Sequence, residues 1–498
     1  MSKYRVLFLY PNEPFLNPPP VGIAILNAVL RGKGYETDIF DTTFYLTTPL
    51  SSDKAKEENL QVRPFDFGER RVEPNKGDMF EDLKAKLREY KPHLVALSVL
   101  ETTFNIGSLL LGIVKQENPE IITVVGGVFP TAAPEIVFAN DSVDILCIGE
   151  GEEPLLELIE ALSLSKEYKD IRNLWIKDNG NVIKRPIRPV INLDELPIPD
   201  YSIFDNRRFF RPMAGKVYRA VPIETNRGCP YNCTFCNSPA TLKMYRKERG
   251  NMFFRKKSMK NIESELLFLT KKWDAEYVYF LSDTFLAMND DEFNEFTRIY
   301  SKIRLPFWMQ TRPETLTQER ADKLKEVGCH RVSIGLEHGN EEFRKKVLKK
   351  SYHNEQMIKV SEYLKKAGIP LSINNIIGFP DETRELIFDT IELNRQMNFD
   401  TTNAYAFTPF HGTALYDYCL KKGYIEPDAL AGCLTKDTVI KMPQLGRDDI
   451  RGLMRTFSLY ARMPNEYWDK IRVAERFDDE GNKAFKELSA IYKERYFS

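Results

Sequence analysis

Short, unbroken apolar runs alternate with longer stretches of helical period through the first third of this chain. Residues 5–10 read as a buried strand, ended by Pro11 and a loop through Pro18, Pro19 and Pro20. Ile23, Leu26 and Leu30 recur at helical spacing over residues 21–31, and Gly32 and Gly34 close that segment. Residues 37–40 predict a second strand, followed by a polar segment without clear period to about residue 77. A helix over 80–90 leads into 94–99, an apolar run typical of a strand buried on both faces. A helix near 105–115, strands at 121–125 and 143–148 and a helix over 154–162 complete residues 1–165. This alternation predicts an α/β, doubly wound, Rossmann-like parallel sheet, with ligands beyond the carboxyl ends of its strands. The glycine turns at Gly126-Gly127 and Gly149-Glu150-Gly151 fall there. On geometry alone they are either close-approach points for a ligand or plain tight turns. No G-x-G-x-x-G opens the first helix, which argues against a nicotinamide-binding fold.

Residues 166–219 read as a linker with a hairpin, 174–177 and 182–186, around Asp178-Asn179-Gly180-Asn181. Leu196-Pro197-Ile198-Pro199 then makes a stiff connection. Beyond it, strands at 221–225, 277–281, 307–310, 330–334, 371–376 and 401–406 are separated by helical periods, as a partial (β/α)6 barrel over residues 220–415 requires. Residues 416–498, especially 448–460 and 483–496, read as amphipathic helices. Barrel sites open at the C-terminal strand ends, which brings forward Ser282, Asp283, Thr311, Arg312, Glu337, His338, Gly378 and the 408–413 loop.

With 498 residues the chain exceeds one ordinary core and suggests two or three domains. Its 42% hydrophobic and 29% charged residues are the balance of a globular protein. A net charge of −1 gives no global pull toward nucleic acid or an anionic surface. Eight basic residues in 243–260, interleaved with Tyr245, Phe253 and Phe254, resemble a nucleic-acid patch in isolation. Glu248 and the overall balance favour a solvated loop leading to the helix at 262–272. No signal-peptide core or membrane span is visible, so a cytoplasmic location is expected.

The chemistry concentrates in residues 226–238. Three of the seven cysteines, Cys229, Cys233 and Cys236, fall there at C-x3-C-x2-C spacing. Thiolates this close can hold three corners of one cubane iron–sulfur cluster, leaving an iron open to a small chelating molecule. Zinc favours four ligands, and no second cysteine pair or nearby histidine is present. An odd cysteine count without a secretion signal argues against a disulfide. Cys147, Cys329, Cys419 and Cys433 are scattered, so one cluster and no auxiliary one is expected.

C-x3-C-x2-C with Phe235 before the last cysteine resembles the signature of the radical S-adenosylmethionine (SAM) superfamily. Phe-Leu-Ser-Asp283-Thr-Phe, Ser-Ile-Gly-Leu-Glu337-His-Gly and Gly378-Phe-Pro-Asp-Glu-Thr resemble further motifs of that family, with Ser282 and His338 as departures. The resemblance implies SAM contacts at Phe235, Asp283, Arg312, Glu337 and Gly378. Read without it, Asp381 is simply a helix cap. Pro18–Leu26, with Val124-Val-Gly-Gly-Val-Phe-Pro-Thr131 and Ile148-Gly-Glu-Gly-Glu152, resembles the cobalamin-binding domain ahead of the SAM domain in one large subfamily, the class B methyltransferases. It implies cobalamin contacts at Ser98, Gly126, Gly127, Phe129, Thr131, Gly149, Glu150 and Gly151. Many relatives have histidine where Phe129 stands, and no Asp-x-His-x-x-Gly motif is present, so cobalt is expected to lack a protein imidazole beneath it. Of the histidines at 93, 330, 338, 353 and 411, only His93 lies in this part of the chain, where it opens a strand. His411-Gly-Thr-Ala-Leu-Tyr resembles the segment that ends the barrel, and Tyr405 and His411 are candidate substrate contacts.

The activity so implied is methylation of an unactivated carbon, using methylcobalamin and a 5′-deoxyadenosyl radical. The alternative keeps the same cofactors for a cyclisation, rearrangement or oxidation. A methylthiotransferase would need a second cysteine trio, and residues 1–165 hold only Cys147. A non-catalytic cobalamin sensor would have no use for the three cysteines. A small-molecule, lipid or peptide substrate and an electron donor of flavodoxin or ferredoxin type are implied partners.

Overall fold

The structure, a computed structural model, describes residues 4–249, 253–432, 435 and 437–497. Cys433 and the side chain of Glu248 lie outside the described residues.

The first sheet contains β1 (Arg5–Tyr10), β2 (Glu36–Asp41), β3 (Leu94–Ser98), β4 (Ile122–Gly126) and β5 (Ile145–Cys147), all parallel, in the order β2-β1-β3-β4-β5. Both faces are covered, which explains the unbroken apolar runs. Val6, Phe8, Leu94 and Ala96 point to a core shared with helices Val21–Gly32 and Glu152–Ser163. Leu7, Leu9, Val95 and Leu97 point the other way, onto Met79–Tyr90 and Phe104–Glu117. From β1 the chain turns to β2 on one side and then to β3 on the other. This is the switch point where a doubly wound sheet opens a crevice.

Several elements differ from expectation. The hairpin β6 (Leu174–Asp178) and β7 (Asn181–Lys184) continues this sheet antiparallel to β5. The segment beyond residue 41, predicted without structure, contains the helix Ser52–Glu58, capped by the Ser51 hydroxyl. It is held against the second domain: Gln61 donates to the carbonyls of Ala404 and Met454, both at 3.2 Å, and Arg63 pairs with Asp400 at 3.0 Å. After Gly127 come two short helices, Val128–Ala132 and Pro134–Phe138, which the sequence reading missed.

The second sheet is a half-barrel. β8 (Phe210–Met213) runs antiparallel to β9 (Lys216–Glu224) at one edge. Beyond a small ladder of β10 (Asn226–Arg227) and β11 (Arg255–Lys256) come β12 (Tyr277–Leu281), β13 (Phe307–Thr311), β14 (Cys329–Glu337), β15 (Leu371–Ile377) and β16 (Thr401–Ala406). β9 and β12 to β16 are parallel, giving the expected six strands of the barrel. Helix Arg447–Arg462 closes the far edge, with Ile450, Leu453 and Phe457 buried in the core under β16. Asp381 does not cap the helix Arg384–Arg395; the Thr383 hydroxyl does, and Asp381 accepts from Tyr418 and from Tyr424 at 2.7 Å.

The basic run is not a solvated loop. Residues Ser238–Arg249 form a helix, and Tyr245 is fully buried, stacked on Phe253 at 5.2 Å between ring centroids. Lys257 is buried against Glu265 at 2.5 Å, and Arg255 pairs with Glu150 of the first domain. Tyr245, which accepts from Glu150 N–H at 3.1 Å, and the Arg255–Glu150 pair turn this run into a seam between domains, and the Lys257–Glu265 pair anchors it within the second.

Candidate cofactor and catalytic site

The cysteine loop leaves β9 and is pinned from below. Thr234 donates to the Val347 carbonyl at 2.6 Å, and Leu415 N–H donates to the Thr234 carbonyl at 3.1 Å. Arg312 lies 3.7 Å from the Tyr231 ring centre, pairs with Glu314 at 2.5 Å and donates to Cys233 Sγ at 3.4 Å. Ser238 N–H donates to Cys236 Sγ at 3.5 Å, and the Cys229 sulfur is 3.6 Å from the Thr284 hydroxyl. Burial raises the Cys233 thiol and pushes the Cys236 thiol up to about 12. Such thiols stay protonated unless a metal displaces the proton. Among the described residues no three His, Cys, Asp or Glu side chains converge on a single metal ion. A cubane places each thiolate on a different iron, so three thiolates spaced along one loop fit the cluster.

Above the loop lies a cavity of about 360 Å³, walled by the three cysteines with Phe235, Asp283, Arg312, Glu337 and Tyr405. Glu337 holds a left-handed backbone, φ 65°, and its carboxylate is 3.0 Å from Lys350 Nζ. Gly378 is not brought into this cavity. Its N–H and that of Phe379 donate to Glu382 Oε2 at 2.5 and 2.9 Å, while His338 Nε2 stands 3.0 Å from Glu382 Oε1, off the line of a hydrogen bond. The motif is thus a buried brace behind the site.

A larger cavity, about 680 Å³, opens at the switch point between the domains. Ser98, Gly126, Gly127, Thr131, Gly149, Glu150 and Gly151 line its first-domain wall. Gly127 has φ +115°, and a Cβ there would meet the Val99 carbonyl oxygen at 2.7 Å; at Gly149, φ +80°, it would meet Tyr245 Oη at 2.5 Å. These turns need glycine for both conformation and space. Thr131 ties them together, donating to the Gly127 carbonyl at 2.8 Å and accepting from Gly149 N–H at 2.9 Å. The opposite wall includes Phe235, Cys236, Asp283 and Phe410, which line the smaller cavity as well. The two spaces therefore adjoin at these four side chains. Asp283 faces this open space yet is ringed by protein, and desolvation, reinforced by Glu224, raises its carboxyl.

Phe129 is placed otherwise than expected. It is 1% exposed and packs edge-on against Phe104 and His411, with ring centroids at 5.1 and 5.7 Å, away from the cavity. Its neighbour Val128 lines the cavity. His411 lines neither cavity. Its Nδ1 is 2.7 Å from Glu101 Oε1 and its ring is 4.1 Å from that of Tyr416, which makes it a domain-joining residue. Sequence reasoning missed Lys350 and Gln310 in the smaller cavity and Arg227 in the larger one. Gln310 sits at a strand end where it could have been read, whereas nothing local marks Lys350. Arg227 reaches Glu150 at 3.0 Å and Glu152 at 2.7 Å across the domain seam, and Glu224 at 3.2 Å.

Comparison with known families agrees with this geometry. The B12 binding domain family matches residues 14–159, and the Radical SAM superfamily matches residues 223–393. The chain belongs to the radical SAM enzymes that carry an N-terminal cobalamin-binding domain, and the cofactors of that class are a 4Fe–4S cluster, SAM and cobalamin. It is 29% identical to an uncharacterized methyltransferase of Pyrococcus horikoshii, over 83% of this chain and 88% of that one. It is 27% identical to an anaerobic magnesium-protoporphyrin IX monomethyl ester cyclase of Rubrivivax gelatinosus, over 83% of this chain and 69% of the other. The cobalamin-dependent SAM radical enzyme OxsB, solved with aqua-cobalamin and SAM bound, shares the fold at a TM-score of 0.68 and 16% identity, covering 100% of this chain and 72% of that one.

Proposed function

We propose that this protein methylates an unactivated carbon of a small-molecule substrate. The observation that carries the reading is the junction of the two cavities at Phe235, Cys236, Asp283 and Phe410, where one substrate carbon would face both cofactor sites. When bound, the cluster and SAM supply a 5′-deoxyadenosyl radical and cobalamin supplies the methyl group. Cys229, Cys233 and Cys236 hold the cluster. Glu337, fixed by Lys350, and Arg312, fixed by Glu314, offer opposite charges to the amino-acid end of SAM. Phe235 and Asp283 bound that site, and Gly378 acts on it only through the Glu382 brace. The glycine turns at 126–127 and 149–151, with Ser98, Thr131 and Glu150, cradle cobalamin. Residues 1–165, extended by the hairpin, form the cobalamin domain; 220–415 form the barrel, and 416–498 close it. Tyr405, in the SAM cavity, is a substrate contact, whereas buried His411 supports the site from behind.

An electron donor of flavodoxin or ferredoxin type supplies the reducing electron. No helix among the described residues is long and apolar enough to cross a membrane. Incubation with methyl-labelled SAM and a panel of substrates is expected to give a product carrying one labelled methyl group. A product changed in mass without the label would instead support a cyclase or oxidase, the reading favoured by likeness to the Rubrivivax protein.

No histidine lines the larger cavity, and Val128 is the exposed side chain of the 128–132 turn. Cobalt is therefore expected to lack a protein nitrogen. Electron paramagnetic resonance of the one-electron-reduced, cobalamin-loaded protein should be the same whether the histidines carry 14N or 15N, and Phe129→His should not change this. A splitting that responds to the histidine isotope in either protein would overturn this assignment.

A further inference from the structure

Beneath the SAM cavity, the lumen of the half-barrel holds a separate space of about 290 Å³. Its strand wall is polar: Gln310, Ser333, Asn374 and Asn403 point inward at the period of two that strands impose. Its lid is the 53–65 segment of the first domain, contributing Asp53, Lys56 and Arg63. The charges here do not balance. Arg63 at 3.0 Å and Arg331 share Asp400, and Lys56 pairs with Asp53 at 3.1 Å. Arg211 makes no ion pair within 4 Å among the described residues, and the one carboxylate lining this space that acts on it, Asp53, is already paired with Lys56. Its guanidinium lies 4.4 Å from the Tyr279 ring centre and donates to the Tyr279 hydroxyl at 3.3 Å and to the Asn17 carbonyl. Four cations thus face two carboxylates, an excess of two positive charges.

Polar atoms are also left over. Nε of Arg211 and Nε of Arg331 are donors buried without a partner, and Arg331 is only 6% exposed. Uncompensated charge and orphan donors in a buried space are costly unless a ligand satisfies them.

We propose that this lumen binds an oxyanion of the substrate, a phosphate or carboxylate, on Arg211 and Lys56. The inference rests on the radical SAM reading and deepens it by naming the substrate class. Gln310, Asn374 and Tyr405 line both this space and the SAM cavity, so a molecule anchored here presents its other end to the cluster side. A guanidinium fork and an ammonium together suit a dianion, which favours phosphate over a single carboxylate.

The test uses the full chain with reconstituted cluster and cobalamin. Its thermal midpoint is followed against inorganic phosphate and against acetate, with chloride matching the ionic strength. Phosphate is expected to raise the midpoint saturably, and Arg211→Gln and Lys56→Met should each raise the half-saturating concentration by about tenfold or more, as loss of a charged hydrogen bond implies. Arg211→Lys, which keeps the charge without the fork, should fall between. Saturation by acetate at lower concentration than phosphate would assign a carboxylate instead. No saturable response of the wild-type protein to either anion would overturn the proposal, as would an unchanged response in both charge-removing variants. Iron and cobalamin contents of the same wild-type sample separate this failure from failure of the cofactor reading.

Discussion

Replacing any one of Cys229, Cys233 or Cys236 by alanine is expected to abolish 5′-deoxyadenosine formation. The fall should be at least ~100-fold, because two remaining thiolates hold a cubane poorly and leave no stable open iron for SAM. The loop itself should survive. Its position is fixed by Thr234 on Val347 and Leu415, and by Arg312 on Tyr231 and Glu314, none of which uses a cysteine backbone. Iron content should drop from near four per chain to little or none after anaerobic reconstitution. Far-ultraviolet circular dichroism and cobalamin retention should remain near wild type, since the first-domain glycine turns are untouched. Deoxyadenosine formed at wild-type rate in all three variants would sink the assignment. A wild-type content near eight irons would refute the single cluster.

Whether a segment was legible in the sequence depends on where its packing partner lies. Residues 94–97 declare themselves because both sheet faces are covered, so all four side chains are apolar. The cysteine loop is legible because three ligands to one cluster must be close in sequence and in space. The 42–77 segment is not: the helix Ser52–Glu58 is short and polar, and what orders it is the barrel lumen and the carbonyls of Ala404 and Met454, more than 340 residues away. The basic run at 243–260 was weighed by charge, and its meaning lay in the two aromatics. Tyr245 fills the space that Gly149 leaves open, a contact between domains that no local pattern announces. Phe129 went astray for a geometric reason. The turn after Gly127 is helical, so Val128 and Thr131, three residues apart, share the face toward the cavity, and Phe129 rotates into the core.

Arg227→Met is expected to be the most destabilising single change at the domain seam, by about 3–5 kcal/mol, the cost of breaking a buried ion pair from one side. Arg227 is the hub: it meets Glu224 of its own domain and Glu150 and Glu152 of the other. The three carboxylates are 17%, 12% and 7% exposed, so water compensates them little once the guanidinium is gone. Arg255 remains on Glu150, but Glu152 and Glu224 lose the only cation paired with them among the described residues. The repulsion should push the domains apart where Gly149, Glu150 and Gly151 wall the larger cavity. Urea denaturation should therefore show a lowered midpoint, and cobalamin should be lost more readily on gel filtration while iron content is held. Adding Glu152→Gln to Arg227→Met removes one stranded charge and should restore part of the loss. If the single variant keeps both wild-type stability and wild-type cobalamin retention, the four-residue network does not hold the domains together. If the second substitution deepens the loss, charge repulsion is not its cause.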